Sequence, residues 1–119
     1  MKGSSRRPEQ VAETLRQVIA DALARDISDP RIGFTTVTRV EVTADLSHAK
    51  VFIAVQGEEA ERLRAMEGLR SAAGFLRTKV SKVLTTRSVP ELHFELDRGL
   101  EHATRINELL EGLRRESQD

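Results

Sequence analysis

The alternation of apolar and polar positions divides the chain into helical and strand-like stretches. Val11, Leu15, Val18, Ile19, Ala22 and Leu23 recur at the spacing of one helix face, with Arg16, Gln17 and Asp21 outside it. Pro8 suits a first helical turn, where its missing N–H is harmless. Glu9 follows, where the positive end of the helix dipole favours a carboxylate. These features predict a helix from Pro8 to Asp26. Ser28 to Gly33 (SDPRIG) then carries turn chemistry, because Pro30 disfavours helical geometry at Asp29 and Gly33 tolerates unusual dihedrals.

Beyond that turn the period changes. Thr35 to Thr43 (TTVTRVEVT) is rich in β-branched residues and reads as a strand. Simple alternation sets Thr38, Val40 and Val42 on one face and Val37, Arg39 and Glu41 on the other. After the short connection Ala44 to Ser47, the stretch His48 to Val55 alternates again. Ala49, Val51, Ile53 and Val55 face one way, and Lys50, Phe52 and Ala54 the other. The pair is predicted to be an antiparallel hairpin.

Glu58, Glu59 and Glu61 open a further helical pattern, carried by Ala60, Leu63, Met66, Leu69 and Ala73 and continued by Leu76, Val80, Val83 and Leu84. Ala72-Ala73-Gly74 interrupts it, and glycine inside a helix costs about 0.5–1 kcal/mol relative to alanine. Two helices joined at that point are expected. Arg87 to Pro90 breaks the second one. Glu91 to Asp97 alternates cleanly, with Leu92, Phe94 and Leu96 inward and His93, Glu95 and Asp97 outward, as a third strand at a sheet edge. Leu100, Ala103, Ile106, Leu110 and Leu113 mark a final helix from Arg98 to Arg115. The order predicts an α+β two-layer sandwich, a three-stranded sheet with helices on one face, in a single domain of 119 residues whose ends, 1–7 and 116–119, are loose tails.

Charge changes this picture. The formal sum is zero, yet residues 1–90 carry 15 basic and 11 acidic groups while residues 91–119 carry 4 and 8. Gly68 to Pro90 holds Arg70, Arg77, Lys79, Lys82 and Arg87 and no acid at all. On the second half of the bent helix Arg77, Thr78, Ser81, Lys82 and Thr85 lie opposite the apolar stripe, an arc of donors. Small side chains at Ala72, Ala73 and Gly74 let a phosphate backbone approach the main chain. The helix start after Gly74 offers free N–H groups and a favourable dipole end. Arg70, Ala72, Ala73, Gly74, Arg77, Lys79, Lys82 and Arg87 are therefore the candidate RNA-binding residues, with Arg6, Arg7 and Lys50 as lesser ones. In KH domains a GxxG loop between two helices clamps the nucleic-acid backbone. Here AxG stands at the comparable place, which favours contact with structured RNA over threading of a free strand.

Composition excludes other classes. Without cysteine there is no disulfide framework, thiolate metal site or cysteine nucleophile. With no Trp, no Tyr and four Phe, the chain does not suit modules that stack bases on exposed aromatics. No apolar run approaches the roughly 20 residues of a membrane span, and the N-terminus lacks a signal-peptide pattern, so an intracellular, cytoplasmic protein is expected. No nucleophile elbow, P-loop or H-E-x-x-H pattern is present, so no enzyme is expected. His93, Glu95 and Asp97 share one strand face at metal-ligand spacing, but such a face is ordinarily solvated, and no metal or cofactor is expected. One alternative stays open: a protein–protein adaptor that does not touch RNA and works through an acidic last helix carrying Glu101, Glu108 and Glu111.

An ordered set of short segments carries a resemblance over nearly the whole chain. It comprises Asp29-Pro30-Arg31, Thr36-Val37-Thr38, Val40 to Thr43, Asp45-Leu46 and Ala49 to Phe52. It continues with Ala72 to Arg77, Arg87, Pro90 to Phe94, Asp97, Arg105-Ile106 and Leu109-Leu110. In this it resembles the bacterial ribosome-binding factor A proteins. The resemblance implies a type II KH-like fold with a helix–kink–helix. It implies a non-enzymatic assembly factor that binds the small ribosomal subunit and its ribosomal RNA during late maturation; a monomer is expected. It further implies help with precursor rRNA processing, importance in the cold, and a functional link to an assembly GTPase that promotes release. Gln10 departs from the family, whose members often have a basic residue there.

Overall fold

The computed structural model describes residues 7–85, 89–99 and 109–113. Its elements run α1 (Pro8–Arg25), β1 (Thr35–Val42), β2 (His48–Val55), α2 (Glu59–Ser71), α3 (Ala73–Val83) and β3 (Glu91–Leu96). Most of the expected final helix, Arg98 to Arg115, and both expected tails apart from Arg7 lie outside the described residues. Residues 109–113 are helical, with Leu109, Leu110 and Leu113 exposed.

The sheet order is β1-β2-β3. β1 and β2 form the antiparallel hairpin, and β3 joins β2 in parallel after the α2–α3 crossover. α1, α2 and α3 cover one face: α1 packs on β1 and α3, and α2 on β3 and β2. Between the layers Val11, Leu15, Ile19, Val51, Ile53, Leu69, Leu76 and Val80 are removed from solvent. Each fully buried Leu, Ile or Val contributes about 1.5–3 kcal/mol of transfer free energy. This is a type II KH-like α+β sandwich.

Three details depart from the periodic reading. Val37 pairs with Ile53 but Arg39 pairs with Phe52, so Thr38 is an extra residue in β1. A bulge of this kind switches the inward face of the strand. Val37 is therefore buried on the same side as half-buried Val40 and Val42, and Thr38 is exposed, the reverse of simple alternation. On the bent helix, Leu63 and Val83 are exposed although both fit the apolar spacing. Buried Ala65, Met66, Leu69, Leu76, Val80 and Leu84 carry the packing of the pair instead.

Candidate nucleic-acid interface

The bend forms at Ala72, which closes α2 and opens α3 with φ −88° and ψ −1°. Its N–H is shared between the carbonyls of Gly68 and Leu69, at 3.0 and 3.1 Å, and its carbonyl accepts from Leu76 N–H at 2.9 Å. The chain turns without leaving right-handed helical dihedrals, so neither Ala73 nor Gly74 needs a left-handed conformation. Gly74 is exposed, and a Cβ built on it would meet nothing within 4 Å. Ala72 and Ala73 are half-buried.

The first turn of α3 has no acidic residue and no side-chain cap. Cations lie before it and along α3. Arg70 stands in the last turn of α2 and Lys82 in the last turn of α3, and among the described residues neither pairs with a carboxylate. Arg77 is exposed but held, its Nη2 donating to Val89 O at 2.8 Å. Lys79 is drawn to Asp26, the C-cap of α1, at 3.2 Å, and lies 5.5 Å from the centroid of Phe75. The acid-free segment therefore meets an acid after all, from a distant part of the chain. Arg87 and Arg6 lie outside the described residues. Arg7 caps α1, and Lys50 is on the other face of the sheet, 3.5 Å from Glu95.

Beside the bend is a shallow depression lined by Asp26, Ile27, Asp29, Pro30, Ala72 and Phe75. Its two carboxylates are both compensated, Asp26 by Lys79 and Asp29 by Arg31. The Arg31 fork donates to Asp29 through Nε at 3.1 Å and Nη2 at 2.8 Å, and this hydrogen bonding holds the Asp29 carboxyl below its ordinary range. Arg31 Nη1 reaches Glu67 on α2 at 3.1 Å. The Asp-Pro-Arg turn is thus tied to α2 at the point where it lies against Gly68. A Cβ on Gly68 would meet Ile32 Cγ1 at 2.9 Å, so a hydrogen there is a packing requirement.

Sequence spacing missed three of these features: the Asp26–Lys79 pair, the Arg77–Val89 bond and the close approach at Gly68. The first two join residues far apart in the chain. The third had a signal, a glycine inside an otherwise regular helical pattern. Phe75, 46% exposed beside Lys79, also stands at the bend.

The expected outward row His93, Glu95 and Asp97 does not converge. Asp97 accepts from Thr38 Oγ1 at 2.6 Å and from Gly99 N–H at 2.9 Å, which hold its carboxyl below the usual range, while Glu95 faces Lys50. His93 instead meets His48, 3.0 Å away. Glu111 is exposed, and Glu101 and Glu108 lie outside the described residues. No helix of the described residues is long and apolar enough to cross a membrane.

Residues 7–110 match the family model for ribosome-binding factor A. The Thermomicrobium roseum ribosome-binding factor A is 48% identical over 114 residues, covering 96% of this chain and 88% of that protein. The Desulforamulus reducens ribosome-binding factor A is 49% identical over 106 residues, covering 89% and 88%. Among solved structures, the crystal structure of ribosome-binding factor A from Thermus thermophilus superposes with a TM-score of 0.67 at 24% identity, over 77% of this chain and 98% of that one. A Thermus thermophilus homology model of the factor, fitted into the cryo-EM map of a 30S–RbfA complex, gives 0.60 at 25% identity, over 76% and 94%.

Proposed function

The chain belongs to the ribosome-binding factor A family, and we propose that it binds the small ribosomal subunit by setting the α2–α3 bend against ribosomal RNA. The observation that carries this reading is the α3 surface: cations without any acid of its own, in a chain of zero formal charge. Arg70, Arg77 and Lys82 neutralise phosphates there, with Arg87 following in the chain. Lys79 joins them by exchanging Asp26 for phosphate. Ala72, Ala73 and Gly74 let the backbone come close, and the uncapped start of α3 receives an anion.

Mechanistically, the protein stabilises one conformation of an immature ribosomal RNA and leaves when that conformation is no longer available. In this reading it acts in the cytoplasm as a monomer, without a cofactor or a catalytic step. It assists late maturation and precursor rRNA processing, matters most in the cold, and is released with the help of an assembly GTPase. Accumulation of precursor small-subunit rRNA in cells lacking the protein checks the processing role.

The direct test changes Arg77 and Lys82 together to Glu and measures co-sedimentation with the small subunit. Binding is expected to fall about 100-fold, and wild-type affinity to drop steeply with salt as phosphate contacts release counterions. Unchanged co-sedimentation by a folded double variant would remove the assignment.

A further inference from the structure

A second cluster lies on the open face of the sheet, away from the helices and their bend. β2 and β3 run in parallel with His48 opposite Glu91 and Lys50 opposite His93. This register places exposed His48, Glu91 and His93 together near the starting ends of both strands. His48 Nδ1 lies 3.0 Å from His93 Nε2, and Glu91 Oε2 lies 3.9 Å from His48 Nδ1. One ligand atom from each of the three falls within 4.8 Å of the others. The backbone beneath is pinned. His48 N–H donates to Thr43 Oγ1 at 3.1 Å, Thr43 N–H to His48 O at 3.0 Å, and Glu91 N–H to Ser47 O at 2.9 Å. The donor atoms therefore converge from paired strands, not from loop tips.

The donor chemistry selects the ligand. Two imidazole nitrogens and a carboxylate suit ions of the zinc class, which sit about 2.0–2.1 Å from nitrogen. A tetrahedral ion at that distance spans two nitrogens about 3.3 Å apart, and the observed separation is 3.0 Å. As a hydrogen bond, the pair requires one ring to donate to the other. An ion replaces that proton and uses both lone pairs. The cation nearest along the strand, Lys50, is compensated by Glu95 at 3.5 Å.

We propose that His48, His93 and Glu91 bind a divalent transition-metal ion of the zinc class, leaving the outward position of its shell to water or an outside ligand. Two nitrogen donors disfavour Mg²⁺, which seeks oxygen. The proposal stands apart from the RNA reading, since these residues and the bend lie on opposite sides of the sheet.

The test titrates zinc chloride into the untagged full chain, followed by calorimetry and by NMR of the histidine side chains. A saturable site of near-equimolar stoichiometry is expected, with His48 and His93 imidazole signals shifting together. His48→Ala or His93→Ala should each weaken binding about ten-fold or more. Glu91→Gln should weaken it less. Magnesium chloride should shift neither ring. Absence of zinc-induced shifts in the wild type, or undiminished affinity in the His48→Ala, His93→Ala double variant, would overturn the site. Both side chains are exposed, so these variants should keep the wild-type circular dichroism.

Discussion

Helices α2 and α3 meet at Ala72 and bury Leu69 and Leu76 in one core, yet their outer surfaces differ. α2 opens with a capping box in which Glu58 and Glu61 satisfy each other's backbone N–H groups, and Glu59 and Glu61 lie in its first turn. Glu59 accepts Arg98 at 2.9 Å and pairs with Arg62 at 3.6 Å, while Glu67 takes Arg31. α3 has neither cap nor acid, and only Lys79 among its cations finds a carboxylate among the described residues. On one half of the bent helix the acids Glu59 and Glu67 are paired, by Arg62 of the same helix and by Arg98 and Arg31 from elsewhere. The other is held by burial of Leu76, Val80 and Leu84, and its polar surface faces solvent. The proposed binding mode puts stability and binding on separate faces of α3, so that each can be broken alone.

The largest effect should come from the buried face. Leu76→Ala is expected to lose about 3 kcal/mol in urea unfolding, whereas Leu63→Ala on α2, 58% exposed, should stay within about 0.5 kcal/mol. Gly68→Ala comes next. Contact with Ile32 should outweigh the helix-propensity gain and destabilise the fold by about 1–2 kcal/mol. A stabilised variant would contradict the close packing there.

Charge reversal then separates the two surfaces. Lys82→Glu on α3 should weaken subunit binding about ten-fold, close to 1.4 kcal/mol. Arg64→Glu on α2 should change it far less, and both should keep their melting temperatures. Equal losses would erase the distinction between the halves. Gly74→Ala should act oppositely on the two properties, since its Cβ has open space. It is expected to stabilise the fold by about 0.5 kcal/mol and to weaken subunit binding by filling the path of a phosphate.

The smallest effect is a pH dependence. In the β1–β2 turn, hydrogen bonds from the Ser47 and Thr43 side chains and the Ser47 N–H hold the Asp45 carboxyl down to about 2, against an ordinary 3.8. A depressed carboxyl stabilises the fold above its unfolded value and loses that contribution as pH falls through the folded one. Melting temperature should therefore fall between about pH 4 and pH 2, and Asp45→Asn should flatten that slope. An unaltered slope would remove Asp45 as its source.

How much of this was legible in the sequence follows from which forces are local. The stripe Val11, Leu15, Ile19, Ala22 set α1 because helical burial repeats along the chain itself. The bend at Ala72 was marked by small residues, and the acid-free run by composition. Alternation groups Thr38 with Val40 and Val42 and sets Val37 apart, because the bulge at Thr38 depends on the partner strand and alternation alone does not register an inserted residue. Within the candidate interface, the partners are what the sequence does not show: Asp26 for Lys79, and Val89 O for Arg77. Those pairings are tertiary. They arise once α1 and the segment before β3 pack around α3.

The central claim, that the bend carries the RNA surface, is tested most directly by ultraviolet crosslinking of the protein on the small subunit, with sequencing of crosslinked RNA and mapping of crosslinked peptides. The account predicts crosslinks to ribosomal RNA within residues 70–87. Crosslinks confined to the open sheet face around Lys50 and Glu95, or binding that survives without any RNA contact, would contradict it.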